Sequence, residues 1–302
     1  MTDQKLLRFS LRMPSGWEET LIWQLQQDGW GIGLQENSFQ AGHLDDEPVG
    51  TSGNPEVVFV IRPAEATRLR VRVEELAQSY GWKPQEWNFA TSELAQEDWE
   101  FAWRKSWKPF RCAGFVVHAD FHERPSLNLR ATDTALQIPT GSAFGTGGHP
   151  STRIALRTLK RWYSEQPFDK LLDVGTGTGI LAVAGALAGA KVNIGMDPDP
   201  PSAGQARQMA RLNGVESQCH FWLGTLESAK GLWQVVFANL QSGLLQYYAP
   251  MLSQRLVPGG RLFTGGFMDK NEEATLLVFE KSGLELRRLH KHGRWRAAEL
   301  RK

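Results

Sequence analysis

The sequence predicts an α/β fold with a small α+β unit in front of it. Two observations carry the main part. From Arg111 onward, short apolar strands alternate with helical segments, the pattern of a mostly parallel sheet covered on both faces. Within that run the apolar stretch Leu171-Leu172-Asp173-Val174 leads directly into Gly175-Thr176-Gly177-Thr178-Gly179 and then into a helix. Ahead of it, segments in the order β-α-β-β-α-β match a ferredoxin-like unit.

In the first unit, residues 6–13 alternate apolar and polar side chains, with Leu7, Phe9, Leu11 and Met13 on one side, so a strand is expected. Residues 18–27 read as a helix closed by Gly29 and Gly31. Residues 33–39, 57–61 and 84–89 are the other expected strands, and 40–56 an exposed Gly-, Asp- and Pro-rich loop. Residues 64–80 are helical, with Leu69, Val73, Leu76 and Ala77 on one face. Residues 1–92 are thus one domain and 93–110 a Trp-rich helical linker. There Trp99, Trp103 and Trp107 recur every four residues, a face that either packs against a domain or serves as a hinge or substrate platform.

Residues 111–302 form the second domain. Strands are expected at 115–119, 135–138, 170–174, 192–196, 220–223, 235–238, 261–264, 284–289 and 296–300, and helices at 151–163, 179–188, 202–213, 244–256 and 271–282. The last two strands lack a helix between them, so one should run antiparallel.

The 302 residues, 41% hydrophobic, suffice for a sizeable core and favour two domains. A net charge of +1 gives no global attraction to nucleic acid or membrane. Cys112 and Cys219 are far apart and lack ligand spacing, so reduced thiols and no metal are expected. No apolar run reaches the length of a membrane span, and the N-terminus lacks a signal-peptide stretch, so a cytoplasmic protein is expected.

Five local signals suggest chemistry. The glycine turn after Val174 lets a ligand approach the backbone at a helix N-terminus, and its G-x-G-x-G spacing, with Ile180 in place of a third dinucleotide-type glycine, departs from the NAD fingerprint. Asp197, ending the next strand, suits either a helix cap or an acceptor for both ribose hydroxyls. Asn239 ends a further strand at the carboxyl edge, where open α/β sheets bind ligands, or else sits in a turn. Val257-Pro258-Gly259-Gly260 reads as a tight turn into a strand. Upstream, Ala143-Phe144-Gly145-Thr146-Gly147-Gly148-His149-Pro150-Ser151-Thr152 precedes a helix that Ser151 or Thr152 would cap, and His149 is either a packed loop histidine or a base.

These strings, in this order, resemble the PrmA family, whose members methylate large-subunit ribosomal protein eleven. The stretch from Asp98 to Phe110 is similar to the family's Trp-rich linker, and residues 1–92 to its substrate-recognition domain. The motifs are strong from Phe144 to Asn239 and weak before Glu97. The resemblance implies a Rossmann-like class I methyltransferase domain with a seven-stranded, mostly parallel sheet, S-adenosylmethionine as cofactor and a ribosomal protein amine as target. It places cofactor contacts on Thr152, Gly175, Asp197 and Asn239; Asp173, Gly177 and Gly179 of the glycine turn are expected to join them, Asn239 to orient the amine and Phe144 to form an apolar wall. It also implies a monomer without nucleic-acid or membrane partners. Gly148 stands where the family usually has Thr, Pro198 where it has Ile, and Leu240-Gln241-Ser242 where it has Ile-Leu-Ala. A relative with a different protein target, a nicotinamide-dependent oxidoreductase and a non-catalytic binding module are the competing readings.

Overall fold

A computed structural model describes residues 6–14, 17, 21, 24, 25, 28, 30, 33–36, 56–94, 109–123, 127–139, 147 and 149–302. The chain divides into two compact units, Met1–Lys108 and Pro109–Lys302.

In the first unit, β1 (Leu6–Arg12), β2 (Gly33–Glu36), β3 (Glu56–Ile61) and β4 (Asn88–Leu94) form one antiparallel sheet in the order β2-β3-β1-β4. This is the ferredoxin-like order. The expected alternation sets the core: Phe9, Leu11 and Met13 are buried, and helix α1 (Ala66–Ser79) buries Leu69, Val73, Leu76 and Ala77. The fourth strand lies later than residues 84–89. Residues 84–86 instead form a turn, closed by the Glu86 N–H on the Lys83 carbonyl and the Lys83 N–H on the Glu86 carboxylate. The strand then pairs with β1 as far as Leu94 opposite Leu6, so Glu93 and Leu94 are not helical. Trp99, Trp103 and Trp107 lie outside the described residues.

The second unit opens with a three-stranded sheet of β5 (Phe110–Cys112), β6 (Phe115–Ala119) and β7 (Thr134–Ile138). At three residues, β5 is too short to register as a periodic pattern. Its main sheet has seven strands in the order β10-β9-β8-β11-β12-β14-β13: β8 (Lys170–Val174), β9 (Val192–Asp197), β10 (Cys219–Leu223), β11 (Trp233–Asn239), β12 (Leu256–Met268), β13 (Glu285–His292) and β14 (Trp295–Arg301). All pairs from β10 to β12 are parallel, and β14 is antiparallel to both its neighbours, as the missing helix requires. Helices α2 (Pro150–Glu165), α3 (Ile180–Ala188), α4 (Pro200–Leu212), α5 (Ser242–Gln254) and α6 (Glu272–Lys281) complete the unit. Burial of Leu171, Leu172 and Val174 in consecutive or alternate positions marks a strand covered on both faces. Helix α3 is buried continuously from Ile180 to Ala186, as expected for a helix apolar all round.

Pro258-Gly259-Gly260 is not a turn that precedes a strand. It is an irregularity inside the long β12, where pairing with β11 skips from Leu256 opposite Trp233 to Arg261 opposite Val235. The Asn213 side chain, just past α4, takes the place of a strand neighbour for β7: it accepts from the Gln137 N–H at 2.8 Å and donates to the Gln137 carbonyl at 2.7 Å.

Helix α2 is fastened to the sheet by Glu299 of β14, a buried carboxylate. It pairs with Arg161, accepts from the Trp162 indole at 3.2 Å and Thr158 at 3.4 Å, and lies 2.6 Å from the His290 imidazole. Burial alone would raise its pKa, but the hydrogen bonds from His290 and Arg161 and the Arg161 charge outweigh burial and hold it at about 2. A carboxyl depressed from an ordinary 4.5 stabilises the fold above that pH and loses the contribution as pH falls toward 2. Glu299→Gln should therefore lower stability at pH 7 by about 3 kcal/mol. In urea titrations between pH 5 and pH 2.5, the variant's stability should fall less steeply than that of the parent chain.

Candidate functional site: the carboxyl edge of the central strands

Three neighbouring parallel strands end at one level. Val174 pairs with Met196 on one side and with Ala238 on the other. The next residue of each strand is then Gly175, Asp197 and Asn239, side by side at the carboxyl edge. Adjacent strands lie about 4.8 Å apart, so Asp197 and Asn239 flank Gly175 about 10 Å from one another. The chain runs outward from β8 through β9 to β10, then returns to β11 and runs the other way to β12. The gap between β8 and β11 is thus the switch point where open α/β sheets bind ligands.

The turn above β8 is shaped by its glycines and by a buried carboxylate. Gly175, Gly177 and Gly179 all have positive φ, +71°, +53° and +83°. A side chain on Gly179 would meet Ala206 Cβ at 2.8 Å, and one on Gly175 would meet Leu240 Cδ2 at 2.3 Å, whereas the space beyond Gly177 is open. Asp173 is buried beneath this turn, accepting from the Thr176 hydroxyl at 2.6 Å and from the Ala182 backbone N–H. Its carboxylate is engaged by the loop itself, so what it does here is hold the turn closed.

Asp197 has a different environment. One carboxylate oxygen accepts from the Gly177 N–H and the other from the Asp199 N–H, each at 2.9 Å. Each oxygen keeps a second lone pair. The side chain is half-buried, so a pair of hydroxyls can still reach it. Asn239 is also half-buried, and its Oδ1 is a buried acceptor without a hydrogen-bond partner. Such a group is costly unless something donates to it.

Of the upstream string, Gly147 reaches the same edge. A side chain on Gly147 would meet Ile180 Cδ1 at 2.9 Å, so this residue packs on the first turn of α3, next to the glycine turn. Thr152 is buried in the first turn of α2. Neither Ser151 nor Thr152 caps that helix. His149 does, with Nδ1 accepting from the Ser151 N–H at 3.1 Å, and Pro150 occupies the first helical position. The ring stands edge-on to Trp295 at 4.8 Å. Burial, with a smaller contribution from His292, pushes its pKa down to about 4. His149 is therefore neutral at physiological pH, with its acceptor nitrogen engaged, which favours the packed, capping reading over the base. Phe144 lies outside the described residues. Among the described residues, no cluster of three His, Cys, Asp or Glu is placed to hold a metal, and no helix is long and apolar enough to cross a membrane.

Thr176, the packing role of Leu240 and the pair Gly265-Gly266 were not singled out in the sequence. The Gly-Gly pair inside an apolar strand was a readable signal of close backbone approach. Thr176 and Leu240 gave none, because their importance arises from which strands become neighbours.

These residues suit a nucleoside ligand on two structural counts: a Cβ-free turn open above Gly177, and an acceptor pair at Asp197 with spare lone pairs. The buried, unpartnered Asn239 Oδ1 adds a third polar anchor across the cleft.

Burial raises the Asp173 pKa to about 7, with the Asp197 charge adding and the Thr176 and Ala182 hydrogen bonds opposing. A carboxyl raised from 3.8 favours the fold fully below that pH and loses this contribution as pH rises through 7. Asp173→Asn, a mimic of the protonated form, should flatten the decline in unfolding free energy between pH 5 and pH 8, measured by urea titration at each pH. Thr176→Val removes one of the donors and should cost about 1–3 kcal/mol at pH 8.

The family model for ribosomal protein L11 methyltransferase (PrmA) matches residues 9–302 of the chain. A ribosomal protein L11 methyltransferase from Thermus thermophilus is 41% identical over 181 residues, 59% of this chain and 67% of that one. Another, from Citrifermentans bemidjiense, is 31% identical over 287 residues, 92% of this chain and 91% of that one. The crystal structure of a ribosomal protein L11 methylase from Lactobacillus delbrueckii subsp. bulgaricus superposes with a TM-score of 0.56 at 22% identity, covering 62% of this chain and 94% of that one, and shares the fold. With nearly its whole length matched, the chain belongs to the ribosomal protein L11 methyltransferase (PrmA) family.

Proposed function

We propose that the chain transfers a methyl group from S-adenosylmethionine to an amine, a lysine or an N-terminal α-amine, of the ribosomal protein for which its relatives are named. The observation that carries this reading is the alignment of Gly175, Asp197 and Asn239 at one strand edge, with an unpartnered acceptor on Asn239. When bound, the cofactor would supply an electrophilic methyl on a sulfonium, with a neutral thioether as the leaving group.

The chain's own residues then have three tasks. The turn admits the ligand closely above Gly177, where it is open, while Gly175 and Gly179 let Leu240 and Ala206 pack against it and Asp173 and Thr176 hold its shape. Asp197 accepts from the ribose hydroxyls, and Thr152 contributes from the first turn of α2. Asn239 lies across the cleft from Asp197, where its carboxamide oxygen accepts from the attacking amine and aims the nitrogen lone pair. Phe144 is assigned to the apolar wall of this opening.

An unperturbed lysine amine has a pKa near 10.4, so it must shed a proton before attack. An apolar environment disfavours the charged form and lowers that value, so alignment and exclusion of water account for the catalysis without a dedicated base. His149, neutral and engaged in capping, is not needed for this step. The first unit, whose sheet runs to Leu94, is assigned to recognition of the protein substrate, with residues 95–108 as the connecting linker. The chain is assigned to the cytoplasm and acts as a monomer.

Asn239→Ala should lower the rate of methyl transfer by about 100-fold, the scale of losing alignment at a reacting centre, with the thermal midpoint nearly unchanged. Calorimetry should detect S-adenosylmethionine and S-adenosylhomocysteine and no NAD. Full activity in the variant would remove Asn239 from the mechanism. Donor binding without turnover on the ribosomal protein would point to a different target or a non-catalytic module.

A further inference from the structure

We propose that Gly265 and Gly266 are positioning residues for the transfer step, forming a side-chain-free seat that sets the orientation of Asn239. The inference rests on the role proposed above for Asn239.

The two glycines lie on β12, directly beside the end of β11, where Asn239 pairs with Gly265. Here β12 is irregular: its pairing with β14 shifts between Gly265 and Phe267. Such bulges sit next to active sites and re-aim side chains. The segment Asn239–Leu240 lies against this bulge. A Cβ on Gly265 would stand 2.9 Å from Asn239 Oδ1, and one on Gly266 would stand 3.2 Å from the same atom and 2.8 Å from the Leu240 carbonyl oxygen. The Leu240 N–H donates to the Gly265 carbonyl at 3.0 Å, tying the segment down. On its other side the Leu240 side chain covers Gly175. Leu240 is therefore held between Gly175 and Gly266, and Asn239 Oδ1 faces the two glycines of β12.

The shape of the strand explains only one of the two glycines. Gly266 has φ +86°, which any other residue would adopt under strain. Gly265 has a conformation open to ordinary residues, so only space is required there. That space is bordered by Asn239 Oδ1 and by the Phe263 ring, 3.1 Å from the would-be Cβ. An alanine at 265 pushes the carboxamide off its present direction by a few tenths of an ångström or turns it over. The turned-over carboxamide would present a donor where the amine needs an acceptor.

A double-mutant cycle tests this, with kcat, KM for the acceptor protein and thermal midpoint measured for Gly265→Ala, Asn239→Ala and the double variant. Gly265→Ala should lower kcat by about 10- to 100-fold while KM for the acceptor stays within about threefold. In the Asn239→Ala background, where Oδ1 is gone, the same substitution should change kcat by less than about twofold. Equal losses in both backgrounds would overturn the proposal, since the effect would then run through Phe263 or the strand. Unchanged kcat in Gly265→Ala would overturn it as well. Full activity in Asn239→Ala alone would instead remove the reading of Asn239 on which it rests. Should Gly265→Ala fail to fold, the double variant decides: recovery of folding supports the contact with Oδ1, and continued failure overturns it.

Discussion

The parallel register that ends β9, β8 and β11 at one level is the constraint on which the site depends. Neither Asp197 nor Asn239 is unusual as a residue at the end of a strand. They become a site because Val174 is paired on both sides and the next residue on each strand emerges at the same edge. A slip of one residue in either pairing would turn one of these side chains to the opposite face of the sheet. Val174, Met196 and Ala238 are all buried in strands covered on both faces, so each strand's position along its neighbours is set by packing above and below the sheet.

Around that edge, the chain uses buried polar groups in two opposite ways. Glu299 is a carboxylate whose donors overcome its burial, so it stays ionised and ties α2 to the sheet. Asp173 is a carboxylate whose burial overcomes its donors, so its ionisation falls near neutrality. The difference follows from the partners. Glu299 has a guanidinium and an imidazole beside it, whereas Asp173 has one hydroxyl, one backbone N–H and the like charge of Asp197 nearby. The first arrangement stiffens the scaffold. The second places under the glycine turn a carboxyl that burial, with a smaller contribution from the Asp197 charge, moves up toward neutrality.

Much of this was legible in the sequence because it was local. The glycine turn, the strand before it and the helix after it are contiguous, and Asp197 and Asn239 are each announced by an apolar strand. The antiparallel β14 followed from a missing helix. The seven-stranded sheet and the core faces of β1 and α1 followed from periodicity and resemblance. What was not legible came from contacts across the sequence. Ser151 and Thr152 looked like caps because hydroxyls commonly cap helices, yet the half-buried imidazole of His149 holds the position against Trp295, a residue almost half the chain away. The fourth strand was placed too early because Trp87 and Phe89 are apolar, while the turn that precedes them is fixed by Lys83 and Glu86. Pro258-Gly259-Gly260 looked like a turn because proline and glycine usually make one, and only pairing on both sides of it carries β12 through.

The same contrast explains where the family's chemistry can vary. The donor side of the cleft is built from backbone: glycines, N–H groups and one carboxylate held by two of those N–H groups. Backbone geometry is set by the fold and tolerates few alternatives, so this half is the part a sequence motif records. The acceptor side is built from Asn239, Leu240 and the bulge of β12, contributed by separate strands with little shared motif. Leu240, the first residue of Leu240-Gln241-Ser242, is where the two halves meet, because its side chain lies over Gly175. On the role proposed for Asn239, the acceptor side rests on contacts between strands, Asn239 against Gly265 and Leu240 against Gly266, and the cofactor side on backbone within one turn.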